Sequence, residues 1–493
     1  MKKLTIILAA AAAITVISCS KADFGGGWYA YENVASPMAE GDWEEEDPSG
    51  DVFDEIKENK FIKASEEPVS TFSVDADGAS YAYMRRCITN DRLPDANSIR
   101  IEELLNYFTF DYAEPDGSET VAINAEIGNC PWNTEHKLLR LGLKGKSLAD
   151  KDIPDANYIF LVDVSGSMLG ADRLDLVKTG LCTMVDYMKP TDRVAIITYA
   201  GSVERILEST LVKDAEKIKA AIKKLDASGS TAGGAAMKMA YDEAVEHYMT
   251  GGNNRIIMCT DGDFNVGVSD TDKLVEMVES YLDKGIYLSI MGFGMGNFQD
   301  SRMESLSNHG NGTYTYVDSE EEMMKVFVNE RSHFYSVAND TKCQITFNPE
   351  VVDSYRLIGY ENRVMNKEDF ENDKKDAGEI GAGQTITALY EIIPAEGYAA
   401  DASVAKFDVR YKLALGSDSR PLSLDVAVGN TTSDNFNFAA GIAAFGLCLR
   451  NSEYKGEATL SMAYDLVNGA KVSDPWGYRS RFTGLIEKAK KLQ

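Results

Sequence analysis

One carboxylate and two hydroxyls crowd the stretch Asp163-Val164-Ser165-Gly166-Ser167, which follows the apolar run Tyr158-Ile159-Phe160-Leu161-Val162. A turn that tight lets the three side chains converge on one point. Hard oxygens converging without histidine or cysteine suit Mg2+, Mn2+ or Ca2+ and not Zn2+. Two later stretches carry similar chemistry. Gly229-Ser230-Thr231-Ala232-Gly233-Gly234 is a glycine-rich loop opening a helix, and Thr260-Asp261-Gly262-Asp263 follows the apolar run Ile256-Ile257-Met258-Cys259. Gly166 is expected to permit the first turn, and Gly233 with Gly234 to keep bulk away from a cation. Asp263 reads as part of a local turn and Met168 as packing.

Side chains so far apart in sequence meet only if a sheet brings its strand ends to one edge. The pattern over residues 155–336 predicts such a sheet. Leu174, Val177, Leu181, Met184, Val185 and Met188 recur at helical spacing, and Val194-Ala195-Ile196-Ile197 and the stretch from Val203 to Leu207 read as strands. Further helices are marked by Ile218, Ala221, Ile222 and Leu225, and by Leu274, Met277, Val278, Tyr281 and Leu282; Gly285 stops the latter. Strands from Ile286 to Met291 and from Tyr314 to Val317 complete the alternation. Repeated βαβ units give a doubly wound, mostly parallel sheet with helices on both faces, and crossover helices put every strand's carboxyl end on the same side. Asp163 and Asp261 are therefore expected to meet.

Taken together, Asp163, Ser165, Ser167, Thr231 and Asp261 resemble the metal-ion-dependent adhesion site of von Willebrand factor type A domains. The resemblance implies that Ser165, Ser167 and Thr231 ligate a cation directly, while Asp163 and Asp261 bind it directly or through water. The implied ion is Mg2+, with Mn2+ or Ca2+ as substitutes. Neutral hydroxyls quench little of its charge, so a remaining coordination position is suited to a carboxylate from a partner protein not identified by the sequence.

The formal net charge of the 493 residues is -28. That balance argues against nucleic acid and against charge-driven binding to anionic membranes. The start Met1-Lys2-Lys3, the apolar stretch from Leu4 to Ile17 and the ending Val16-Ile17-Ser18-Cys19 read as a secretory signal over residues 1–19. The ending resembles a bacterial lipobox, which implies lipid on Cys19 and a protein anchored to a membrane of the cell envelope. No later segment is long and apolar enough to span a bilayer. Residues 20–66, with Gly25-Gly26-Gly27 and a run rich in acid from Asp42 to Glu58, read as a flexible tether. The other six cysteines form no Cys-x-x-Cys pair, which disfavours a zinc or redox site. Cys182 and Cys259 read as buried thiols.

Period-two alternation flanks the βα region. It occurs at Val121, Ile123, Ala125 and Ile127, at Leu139, Leu141 and Leu143, at Cys343, Ile345 and Phe347, at Phe407, Val409, Tyr411 and Leu413, and at Leu422, Leu424, Val426 and Val428. Half-buried antiparallel strands have this signature. The expected architecture is thus a Rossmann-like α/β domain inserted in a β-sandwich formed by residues 119–146 and 341–430. An N-terminal domain over 67–118 and a helical part over 431–493 flank it. Asp75-Ala76-Asp77-Gly78 reads as a turn, since Arg86 stands where a calcium loop needs its bidentate glutamate. Ser70-Thr71-Phe72-Ser73-Val74-Asp75, Arg100-Ile101-Glu102-Glu103-Leu104-Leu105-Asn106-Tyr107-Phe108, Gly359-Tyr360-Glu361-Asn362-Arg363 and Ala388-Leu389-Tyr390-Glu391 resemble the outer domains of a bacterial family of type A lipoproteins. In that family an N-terminal domain, the type A domain and a C-terminal domain of unknown function follow one another.

Enzymatic readings fare worse. A Mg2+-dependent phosphohydrolase using Asp163 as nucleophile would want a second carboxylate two residues on, where Ser165 stands. Serine hydrolysis would want Gly-x-Ser-x-Gly. The glycine-rich loop lacks the Gly-Lys-Ser/Thr of a phosphate cradle, and Gly292-Phe293-Gly294-Met295-Gly296 ends its would-be dinucleotide fingerprint on Asn297. His136, His247, His309 and His333 stand beside no nucleophile motif. The sequence therefore predicts a non-enzymatic, membrane-anchored adhesion protein. The rival in another class is a structural envelope protein whose metal only stabilises its fold.

Overall fold

The computed structural model describes residues 53–493 apart from 75–76, 230–233, 263–270, 295–299, 376, 398–401 and 428–431. Cys19, the signal and most of the expected tether lie outside the described residues, as do Thr231, Gly233 and Asp263.

The βα region forms one six-stranded sheet. Its order is Tyr314–Val317, Ile286–Phe293, Asn253–Thr260, Ala156–Asp163, Arg193–Tyr199, Val203–Leu211. All neighbours run parallel except the last pair, where Val203–Leu211 returns antiparallel to Arg193–Tyr199. The strand Ala156–Asp163 is central and buried along its whole length. It reads as an unbroken apolar run because both its faces are covered. Ile159 and Leu161 join the core under the helices Gly234–Glu246, Thr271–Glu279 and Asp300–His309. Tyr158, Phe160 and Val162 join the opposite core under Leu174–Tyr187 and Ala215–Lys223.

Two antiparallel sheets form the sandwich. One runs Ile62–Lys63, Val352–Ile358, Thr385–Pro394, Lys137–Gly145, Val121–Asn129, and the other Val364–Met365, Val69–Ser73, Ser336–Phe347, Ser403–Lys412, Ser419–Ala427. Their inner faces share one core, with Leu139, Leu141 and Leu143 from the first and Ile345, Phe407 and Val409 from the second. The chain leaves this sandwich from Lys137–Gly145, builds the parallel sheet, and re-enters through Ser336–Phe347. The α/β domain is thus an insertion.

Two expectations need correction. Residues 67–118 do not make a separate core. Val69–Ser73 pairs with Ser336–Phe347 inside the sandwich, while the helices Ala79–Thr89 and Ile101–Asn106 pack with the C-terminal helices Asp434–Leu449, Leu460–Gly469 and Tyr478–Leu492. Nor is the end of the supposed tether a spacer. Ile62–Lys63 adds a strand to Val352–Ile358, Asn59 donates to the carbonyls of Leu357 and Gly359, and Phe53 stacks edge-on against Tyr83. Acidic composition marked the segment as unable to fold alone, but the body supplies the missing partners. Cys182 is half-buried, and all six described cysteines are unpaired. Among the described residues no helix is long and apolar enough to cross a membrane.

The inserted domain is gripped at the edge of its sheet. The Asp77 carboxylate accepts from the Tyr314 amide at 2.8 Å and from Arg363 at 3.2 Å, so the segment read as a simple turn clamps the edge strand. Beside it Arg85, on the helix Ala79–Thr89, reaches Asp318 and Glu322.

Candidate metal site

Parallel register sets Asp163 beside Tyr199 on one side, and on the other Val162 lies opposite Cys259, which leads Asp163 to Thr260 and Asp261. The two carboxylates expected to meet therefore stand at the carboxyl ends of adjacent strands, Asp163 as the last residue of one and Asp261 just past the other. Both are buried: Asp163 is 0% exposed and Asp261 5%. Asp163 Oδ1 accepts from the Ser165 amide at 2.8 Å, closing the first loop back onto its own strand. The Ser165 and Ser167 hydroxyls lie 2.9 Å apart. Thr260 Oγ1 donates to Asp163 Oδ2 at 3.4 Å and accepts from the Gly262 amide at 3.2 Å, which ties the third loop to the first.

The middle loop is docked at its entrance. The Gly166 amide donates to the Gly229 carbonyl at 3.1 Å, and the Ser228 amide to the Val164 carbonyl at 2.7 Å. Thr231 itself lies outside the described residues. Gly166, expected to permit the turn, has no left-handed backbone, whereas Gly229 at φ +87° and Gly262 at φ +93° do. A short 3-10 turn over Gly166–Met168 makes the bend in their place.

The electrostatics are those of anionic groups held out of water. Burial pushes the Asp163 carboxyl up to about 6, and the nearby Asp261 charge pushes the same way, against hydrogen bonds from Ser165 and Tyr199. Two buried carboxylates with two hydroxyls form an all-oxygen donor set that suits a hard divalent cation. A cationic side chain lies beside them: Arg173 Nη1 is 3.9 Å from Asp261 Oδ2 and donates to the Ser167 carbonyl. Ser165, Ser167, Asp163 and Asp261 would hold such an ion, which would supply an electrophilic centre for an incoming acid.

Sequence reasoning did not find Arg173, Tyr199 or the Thr260 hydroxyl. Arg173 shows no motif, since its reach to Asp261 exists only after the loops fold. Tyr199 could have been found by counting from the strand Val194 onward to the same sheet edge. A second cluster, Glu243, Glu246 and His247, also gathers donor atoms within 4.8 Å, at the far end of the helix that the glycine loop opens. There Glu243 is already ion-paired with Arg205 at 3.0 Å and accepts from the Ser209 amide at 3.1 Å. Two cavities of about 360 and 760 Å3 are lined by residues such as His309 and Arg363, and none of the described residues of the candidate site's loops lines them.

A mostly parallel sheet with this loop cluster at its carboxyl edge defines the inserted domain as a von Willebrand factor type A domain, and the von Willebrand factor type A domain family matches residues 158–263. The von Willebrand factor family matches residues 47–140, and the family described as "Uncharacterized protein YfbK, C-terminal" matches residues 332–492. YfbK of Escherichia coli K12 is 37% identical over 463 residues, 89% of this chain and 80% of that one. The chain belongs to the family of YfbK, bacterial proteins with a type A domain. Human inter-alpha-trypsin inhibitor heavy chain H3 is 29% identical over 176 residues, 34% of this chain and 20% of that protein. Among solved structures, a von Willebrand factor type A protein from Catenulispora acidiphila covers 72% of this chain and 88% of its own, at 14% identity and a TM-score of 0.43.

Proposed function

We propose that this protein is anchored to a membrane of the bacterial envelope through lipid on Cys19 and presents a metal-ion-dependent adhesion site. Ser165, Ser167 and Thr231, with Asp163 and Asp261, hold Mg2+, and Mn2+ or Ca2+ can replace it. The open coordination position takes an acidic group of a protein partner. One observation carries the reading: Asp163 and Asp261, both buried, stand at the carboxyl ends of adjacent strands, where the Ser165 and Ser167 hydroxyls also sit. Burying two carboxylates together is costly unless a cation shares them. The absence of strong negative charge on the hydroxyl ligands leaves such an ion attractive to a further carboxylate. Nothing in this arrangement needs a nucleophile or an enclosed substrate cavity, which supports binding over turnover.

The test is capture from a detergent extract of envelope membranes with Mg2+ and then with chelator, using the wild type and Asp163→Ala. The expected result is a partner retained in Mg2+, released by chelator, and lost in a variant whose circular dichroism matches the wild type. Metal uptake by calorimetry with no metal-dependent partner would support the structural reading instead. No metal uptake would overturn both.

A further inference from the structure

We infer that Arg173 is a built-in competitor of the metal ion that the partner's carboxylate disarms, so that cation and acid bind cooperatively. The inference rests on the metal-site reading above and names the residue that couples its two ligands.

Arg173 sits immediately before the helix Leu174–Tyr187 and turns its side chain across the loop cluster. Its Nη1 donates to the Ser167 carbonyl in the first loop and lies 3.9 Å from Asp261 Oδ2 in the third. The stem crosses a third segment at Gly294, which has φ +77°, and a Cβ built there would stand 2.8 Å from Arg173 Cγ. Only a glycine leaves that passage open. The Gly294 carbonyl in turn accepts from Arg86 at 3.0 Å, which fixes the segment against the helix Ala79–Thr89. The arginine is thus routed to the site by its surroundings. Its side chain keeps 22% of its exposure, so a group arriving from solvent can reach it.

A guanidinium does not lose its charge at any ordinary pH. Near Asp261 it partly offsets the buried carboxylates in the metal-free protein. A divalent cation placed among the same carboxylates is repelled by it, so Arg173 weakens metal binding when no acid is present. A carboxylate arriving at the ion attracts both positive groups. The planar fork of the guanidinium also offers it charge-assisted hydrogen bonds. The favoured ligand is therefore an exposed Asp or Glu side chain, and its binding should tighten the hold on the metal.

The experiment titrates Mn2+ calorimetrically into the full chain, with and without acetate as the carboxylate probe, at constant ionic strength. Wild type, Arg173→Gln and Arg173→Lys are compared. Arg173→Gln is expected to bind Mn2+ three- to tenfold more tightly without acetate, and to lose the tightening that acetate gives the wild type. Arg173→Lys, which keeps the charge without the fork, is expected to hold the wild-type Mn2+ affinity and to gain less from acetate. Unchanged or weaker Mn2+ binding in a folded Arg173→Gln overturns the inference. Should that variant not fold, a wild-type Mn2+ affinity indifferent to acetate overturns it equally. Absence of any Mn2+ uptake by the wild type would instead bring down the metal-site reading itself.

Discussion

Arg85 Nη2 lies 2.8 Å from Glu322 Oε2, joining the helix Ala79–Thr89, which precedes the inserted domain in the chain, to one that closes that domain. The same guanidinium engages Asp318 through Nε at 2.9 Å, and the two acids are only 3% and 8% exposed. Tyr107 donates to Glu322 as well, at 2.8 Å. Removing the arginine strands two buried carboxylates, the situation in which a broken ion pair costs most. Arg85→Met is expected to lose about 3–5 kcal/mol of stability in urea denaturation. A loss under 1 kcal/mol would mean that this contact does not hold the domains together.

The helix Asp434–Leu449 tests close packing. A Cβ built on Gly441 would stand 2.7 Å from Val467 Cγ2 and 3.1 Å from the Val467 amide, in the neighbouring helix. Helix propensity alone would make Gly441→Ala stabilising by about 1 kcal/mol. Crowding is expected to outweigh this and leave a net loss of about 1–2 kcal/mol. Thermal unfolding of the variant gives the sign directly.

A pH response is expected from His333. Burial, with the charges of Lys325 and Lys144, pushes its imidazole down to about 3, although Glu330 lies 3.6 Å from its Nδ1. The folded protein holds this ring neutral where the unfolded chain, with an ordinary value near 6.5, takes up a proton. Its contribution is intact above about pH 6.5 and is lost as pH falls from there toward 3, by at most about 1.4 kcal/mol per pH unit. His333→Gln should flatten the stability profile of the wild type in that window. Parallel profiles for the two proteins would refute the assignment.

Leu169 is 74% exposed just beyond Ser167. An apolar side chain so near the candidate site favours partners with an apolar residue beside the acid. Leu169→Asp is expected to weaken metal-dependent capture at least tenfold, leaving Mg2+ uptake and melting temperature close to wild type. Equal capture by the two proteins would remove Leu169 from the contact surface.

How much of this was legible varied with the range of the interaction involved. Asp163 and Asp261 could be placed together from sequence, because apolar runs and helical spacing dictate a parallel sheet and the sheet dictates the edge. The insertion in a sandwich was legible from period-two strands on both sides. The pairing of Val69–Ser73 with Ser336–Phe347 was not, since nothing local in either stretch encodes a partner so remote. The buried polar clamp at Asp77 and the reach of Arg173 were hidden for the same reason: each depends on where another element ends up. Asp434–Leu449 shows the opposite limit, where Ala439, Ala440, Ala443, Ala444 and Leu447 announce a helix but burial all round leaves no stripe to say what it touches.

The sandwich starts with strands made early and finishes with strands made late. Lys137–Gly145 emerges with Leu139, Leu141 and Leu143 on one face, yet its neighbour Thr385–Pro394 and the opposing strand Ser403–Lys412 follow the whole inserted domain. During synthesis that greasy face must wait until the α/β domain has been made, and folding through such distant pairings is slow and exposed to aggregation. The insertion therefore leaves that face without its partners for as long as the inner domain takes to appear.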